Sequence, residues 1–143
     1  MERRIAFDLD ETLGVPRIAE NTIVGFHLRP GCAELLDRLR PEFVLCLWTV
    51  SPRRYLDQTL SFGLRDFFKE TYSWDERPCR WKDVRKLRLE YLIDDSPEHR
   101  EEARKYGLAD RYIVAPAFGS REDGADPLLW VRIIEEIILK EQR

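Results

Sequence analysis

The sequence is short of the side chains on which much small-protein chemistry depends. It has three cysteines, Cys32, Cys46 and Cys79, an odd number at wide spacing that suits neither a disulfide framework nor a zinc knuckle. None fits a catalytic pattern with histidine, so Cys32 and Cys46 read as core residues in a reducing compartment. The two histidines, His27 and His99, lie 72 positions apart in unrelated contexts and read as non-catalytic. No apolar run approaches the roughly 18 residues that span a bilayer. Met1-Glu2-Arg3-Arg4 leads into a short apolar stretch that stops at Asp8, so no secretory signal is expected. An excess of basic charge is missing too. Lys and Arg number 24 against 27 Asp and Glu, a net charge of −3, which argues against a generally basic nucleic-acid binder. Local contact surfaces at Arg53-Arg54 and among the arginines of 77–88 remain open. There is no internal repeat, low-complexity tract or linker.

What is present describes one soluble globular domain over 1–143, cytoplasmic by default: 143 residues, 43% hydrophobic and 36% charged. Apolar segments at 5–7, 43–48, 89–93 and 112–115 alternate with helical patterns and suit strands buried on both faces of a parallel sheet. Cys32, Leu35, Leu36 and Leu39 fall at i, i+3, i+4 and i+7, which predicts a helix ending before Pro41. A second helix is expected from a Ser51 cap and Pro52 through Leu60 to Gly63. A third runs over 97–106, with Ser96 as cap and Gly107 as terminator. The last runs from 126 or 127 to 140, with Trp130, Ile133, Ile134, Ile137 and Ile138 on one face. Residues 118–126 read as a loop, 14–30 as a loop or small hairpin that would form a flap, and 71–73 as an edge strand.

In such a fold the loops after the strands share one sheet edge, where ligands bind. Asp8 and Asp10 follow the first strand, Thr49 and Ser51 the second, and Asp94 and Asp95 the strand at 89–93. Carboxylates gathered there repel one another and call for a cation, and oxygen ligands favour magnesium.

These residues carry a resemblance. Asp8-Leu9-Asp10-Glu11-Thr12-Leu13 resembles the first motif of the haloacid dehalogenase superfamily. Leu47-Trp48-Thr49 resembles its second, Lys82 in Trp81-Lys82-Asp83 its third, and Leu92-Ile93-Asp94-Asp95-Ser96-Pro97 its fourth. Leu28-Arg29-Pro30-Gly31, and Trp48-Thr49-Val50-Ser51 followed by Arg54-Tyr55-Leu56-Asp57, are similar to the branch of RNA polymerase II C-terminal-domain and NLI-interacting-factor-like phosphatases. The likeness covers the chain from Ile5 to about Tyr106, and Asp95 stands where that branch commonly has Asn.

The resemblance implies a three-layer α/β sandwich of the Rossmannoid kind, with a mostly parallel five-stranded sheet in the order 5-4-1-2-3. It implies a magnesium-dependent phosphatase in which Asp8 forms an aspartyl phosphate and Asp10 is general acid, then base. Mg2+ would be held by Asp8, the Asp10 carbonyl and Asp94. Thr49 and Lys82 would stabilise the transferring phosphoryl group. Ser51 and Arg54 are further substrate contacts, with Asp95 and Thr12 behind them, Asp95 orienting Lys82 or the metal waters. Between Thr12 and Ser51 only residues 13–50, 38 in number, are free, so no cap domain is expected. The open site would admit a phosphorylated protein segment, a nucleic-acid end or a small phosphate. A signalling receiver domain would place its lysine after the acidic residues, whereas Lys82 precedes Asp94-Asp95. A non-catalytic binding module and a phosphotransferase of the same superfamily are the other readings.

Overall fold

The computed structural model describes residues 2–140; Met1 and residues 141–143 of the expected 1–143 domain lie outside the described residues. Its centre is a parallel sheet built from β1 (Arg4–Phe7), β4 (Val44–Trp48), β5 (Glu70–Tyr72), β6 (Tyr91–Asp94) and β7 (Tyr112–Val114). Their spatial order is β5-β4-β1-β6-β7. Numbered among themselves along the chain these strands run 3-2-1-4-5, which is the expected order read from the other edge. β2 (Gly14–Ala19) and β3 (Thr22–Leu28) form a separate antiparallel hairpin, the second of the two alternatives for 14–30. A side chain at Gly14 would sit 2.1 Å from the His27 carbonyl oxygen, so glycine lets the hairpin close.

Strand alternation sorts the interior into two layers. Ile5 and Phe7, Leu45 and Leu47, Tyr91 and Ile93 face α1 (Cys32–Leu39), α2 (Arg53–Leu60) and α5 (Leu129–Lys140). Ala6, Cys46, Trp48 and Leu92 face the chain around Val84 and Leu87 and α3 (Glu98–Arg104). The predicted α1 stripe of Cys32, Leu35, Leu36 and Leu39 is buried throughout. Gly31 opens that helix at φ 84, a conformation that favours glycine, and a Cβ there would meet Leu128 and Val131 at 2.9 Å. On α5, Trp130, Ile134 and Ile138 are fully buried, while Ile137 reaches solvent at the rim.

Three local expectations change. Residues 118–126 are not all loop, because α4 (Arg121–Ala125) forms there, capped by the Ser120 hydroxyl accepting from the Asp123 amide. Ser51 does not cap α2: Pro52 holds that position, and Ser51 instead donates its own amide to Thr49 Oγ1. At α3 the Ser96 hydroxyl donates to the Glu98 carboxylate rather than capping the backbone, and Pro97 occupies the cap. Among the described residues no helix is long and apolar enough to cross a membrane.

Candidate active site

The register of the sheet dictates which side chains meet. Phe7 pairs with Leu47 on one side and Ile93 on the other, and the ladder runs one step further through the Asp8 amide to the Ile93 carbonyl at 2.9 Å. Asp8 and Asp94 therefore leave neighbouring strands at the same level and, by alternation, on the Ala6–Leu92 face. That is the face crossed by the chain carrying Lys82.

Lys82 is 1% exposed, so it is no surface residue. Its Nζ donates to Asp8 Oδ1 at 2.8 Å and Asp94 Oδ2 at 2.9 Å. Burial opposes its charge, but the two carboxylates more than offset that and raise its pKa. Its backbone is held from both sides: the Lys82 amide donates to His99 Nδ1 at 3.0 Å, and Tyr112 Oη donates to its carbonyl at 2.7 Å. His99 is thus not remote from the site. Burial depresses its pKa, so the ring is neutral, and with Nδ1 accepting, its proton lies at Nε2, 3.6 Å from Asp94 Oδ2. No spacing rule could have paired it with Lys82, 17 positions away.

Asp95 joins the cluster through Thr12. Among the described residues no hydrogen bond or ion pair joins it to Lys82; the Thr12 hydroxyl lies 3.0 Å from Asp95 Oδ1 and 3.2 Å from Asp8 Oδ2, and accepts the Asp95 amide at 3.0 Å. Asp8, Asp94 and Asp95 each bring a carboxylate oxygen within 4.8 Å of the others. Burial, then the charge of Asp8 and Asp94, pushes the Asp95 carboxyl up to about 7. Three carboxylates against one ammonium, all oxygen donors, suit a hard divalent cation such as Mg2+.

Asp10 stands apart from that cluster. Its carboxylate accepts the Tyr55 hydroxyl, and burial, followed by the charges of Asp8 and Glu11, raises its pKa against the effect of that bond. The turn that aims it is strained: Glu11 has φ 65, a cost borne by few non-glycine residues. Nothing in the sequence marks Tyr55 for this role although it lies inside the Arg54-Tyr55-Leu56-Asp57 motif; an acceptor 45 positions away leaves no local signal.

Arg29 is equally unmarked. It is 1% exposed, and its Nη1 donates to the Thr12 carbonyl at 3.1 Å and the Pro116 carbonyl at 2.9 Å. Its Nη2 pairs with Asp123 at 2.8 Å, and the guanidinium lies over the Trp130 ring at 4.4 Å. It buttresses the Asp8–Thr12 turn from behind. Thr49 is buried at the end of β4, its amide donating to the Tyr72 carbonyl at 3.0 Å. Ser51 is half-buried beside it, whereas Arg54 is exposed, with no ion pair to the acidic cluster among the described residues. Burial raises Cys32 to about 12 and Cys46 to about 11, which keeps both thiols inert.

Residues 4–108 match the family described as NLI interacting factor-like phosphatase. No curated protein matches the chain. Among solved structures, Fcp1, described as an essential RNA polymerase II CTD phosphatase, aligns at a TM-score of 0.64 and 15% identity over 99% of this chain. This chain spans 52% of the Fcp1 chain. A protein from Thermotoga maritima, assigned as a beta-phosphoglucomutase, aligns at 0.58 and 15% identity over 77% of this chain and 83% of its own. At that identity both comparisons speak for the fold alone.

Proposed function

The chain belongs to the NLI interacting factor-like phosphatase family, within the haloacid dehalogenase superfamily, and from that premise we propose a magnesium-dependent phosphomonoesterase that works through an aspartyl phosphate on Asp8. The observation that carries this reading is the setting of Asp8: one oxygen is held by Lys82, and its carboxylate is clustered with Asp94 and Asp95 at the open sheet edge.

In the first step an Asp8 oxygen forms a bond to phosphorus as the ester P–O bond breaks, and Asp10 gives its proton to the leaving oxygen. The raised pKa of Asp10 supports this role, since a carboxyl must hold its proton to donate it. In the second step water attacks the phosphorus, Asp10 takes a proton from it, and Asp8 leaves as carboxylate. Lys82 balances the charge on Asp8 and on the phosphoryl oxygens. Thr49 Oγ1 already accepts the Ser51 amide at 3.1 Å, which frees its own proton for a phosphoryl oxygen. Mg2+ would be held by Asp8, Asp94 and the Asp10 carbonyl, with Asp95 alongside, and would neutralise phosphate charge as a carboxylate approaches. Ser51 and Arg54 would contact a substrate that extends from the site. With no cap over the edge among the described residues, the proposed substrate is an accessible or macromolecular phosphoester. Three unpaired thiols are in keeping with a cytoplasmic setting.

The test is hydrolysis of an aryl phosphate by wild type and Asp8→Asn, with magnesium and with chelator. Metal-dependent turnover lost in Asp8→Asn supports the mechanism, and turnover that survives the substitution overturns it.

A further inference from the structure

A second concavity opens on the face of the sheet that bears Asp8 and Lys82. It encloses about 330 Å³ and is lined by Trp48, Trp81, Arg77, Arg80 and Lys86 among others. Its position follows from register. Trp48 comes one step after Leu47, the partner of Phe7, so it lies across the ladder from Asp8, on the same face and about 5 Å away between strand axes. Trp81 immediately precedes Lys82. Two pocket residues thus adjoin site residues along the chain, Trp48 beside Thr49 and Trp81 beside Lys82.

The lining is basic in a chain whose net charge is −3. Two carboxylates also line it, but both are already engaged: Glu76 with Arg53 and the Ser73 hydroxyl, and Asp83 with Arg85. The three cations are far less committed. Among the described residues Arg80 pairs with Glu102 alone, at the long distance of 4.0 Å, Arg77 lies 6.0 Å from the Tyr72 ring centre, and Lys86 makes no ion pair. Trp48 is 1% exposed, and its indole N–H finds no acceptor among the described residues. A buried donor beside three loosely held cations is suited to an anionic oxygen.

We propose that this pocket is a substrate subsite that takes a second anionic group, a carboxylate or phosphate, on a phosphoprotein segment whose neighbouring phosphoester lies over Asp8. This rests on the phosphatase reading above. A peptide is favoured over nucleic acid because the three cations here line one concavity of about 330 Å³, while Arg3, Arg4, Arg88 and Arg111 gather at the opposite ends of the strands. A polyanionic backbone needs an extended basic track, whereas a single side chain needs one pocket.

The experiment compares phosphoserine peptides that carry, about one to three residues from the phosphoserine, a glutamate, a second phosphoserine or a neutral glutamine. Wild type and an Arg77→Glu/Lys86→Glu double variant are each assayed, with a 5′-phosphorylated oligonucleotide as a further arm. Wild type should prefer the acidic peptides over the neutral one by about tenfold in kcat/KM, mostly through KM, and the double variant should abolish or invert that ratio. The glutamate and phosphoserine arms tell which anion the pocket takes. Equal rates on acidic and neutral peptides, or a ratio untouched by the double variant, would overturn the subsite. An oligonucleotide preference lost in the variant would overturn the peptide assignment. Tryptophan fluorescence titration of the same peptides reads binding without turnover, and comparison with Trp81→Phe assigns the change to the pocket among the four tryptophans. Failure to hydrolyse aryl phosphate would therefore sink the phosphatase reading, while the titration still judged the pocket.

Discussion

Arg29 and Asp123 form an ion pair at 2.8 Å between side chains that solvent hardly reaches, 0% and 7% exposed, across 94 positions of sequence. It joins the end of β3 to α4, while the same guanidinium holds the turn after β1 through the Thr12 carbonyl; α4 lies beyond residue 108, where the family match ends.

Breaking that pair leaves a buried charge without its partner. Asp123→Asn should cost about 3–5 kcal/mol of stability, read from the urea midpoint. Replacing both residues, as Arg29→Met with Asp123→Leu, should recover part of the loss. A single variant as stable as wild type would show the pair to be dispensable.

Tyr55→Phe removes the hydrogen bond that holds the Asp10 pKa down while leaving the burial that drives it up. The Asp10 pKa should then rise further, and the alkaline limb of the pH–kcat/KM profile, where the first step loses its acid, should move to higher pH. Thermal stability should change little. An unmoved limb would detach Asp10 from the titration that governs turnover.

Mg2+ should raise the melting temperature, equivalent to about 2.7 kcal/mol at a hundredfold excess over Kd. Asp94→Asn should remove most of that gain. Asp95→Asn should do two opposite things: stabilise the metal-free protein by relieving carboxylate repulsion, and shrink the stabilisation by metal. Scanning calorimetry with magnesium and with chelator separates the two effects.

The Arg4 guanidinium, then the Tyr72 hydroxyl, holds Glu70 at about 2 against an ordinary 4.5. A depressed folded-state pKa stabilises fully above 4.5, and that contribution is lost as pH falls through 2. Glu70 is about a third exposed, so screening limits the pair to about 1 kcal/mol. Glu70→Gln should lower stability by that amount at pH 7, with the gap closing as the pH falls below 4.5. Parallel urea titrations across that range check the sign.

The sequence revealed the acidic cluster because Asp8 and Asp94 each stand at the end of a strand whose apolar run is readable, and the expected sheet order then placed them together; Lys82, in irregular chain between β5 and β6, was marked only by the family resemblance. It also exposed the α1 stripe, since periodicity is a local property. What it hid were partners fixed only by tertiary packing: Tyr55 for Asp10, His99 for Lys82, Asp123 for Arg29. α4 was hidden for another reason. Arg121–Ala125 is five residues long and contains Gly124, too short for any apolar face to show.

The sheet pairing also governs when the site can exist. Phe7 and Ile93 are 86 residues apart and pair directly, so Asp8 meets Asp94 only after a long loop has closed, an event that slows folding. In refolding, turnover should return after the helical signal rather than with it. On the ribosome, the acidic cluster should remain unassembled until β6 has left the exit tunnel.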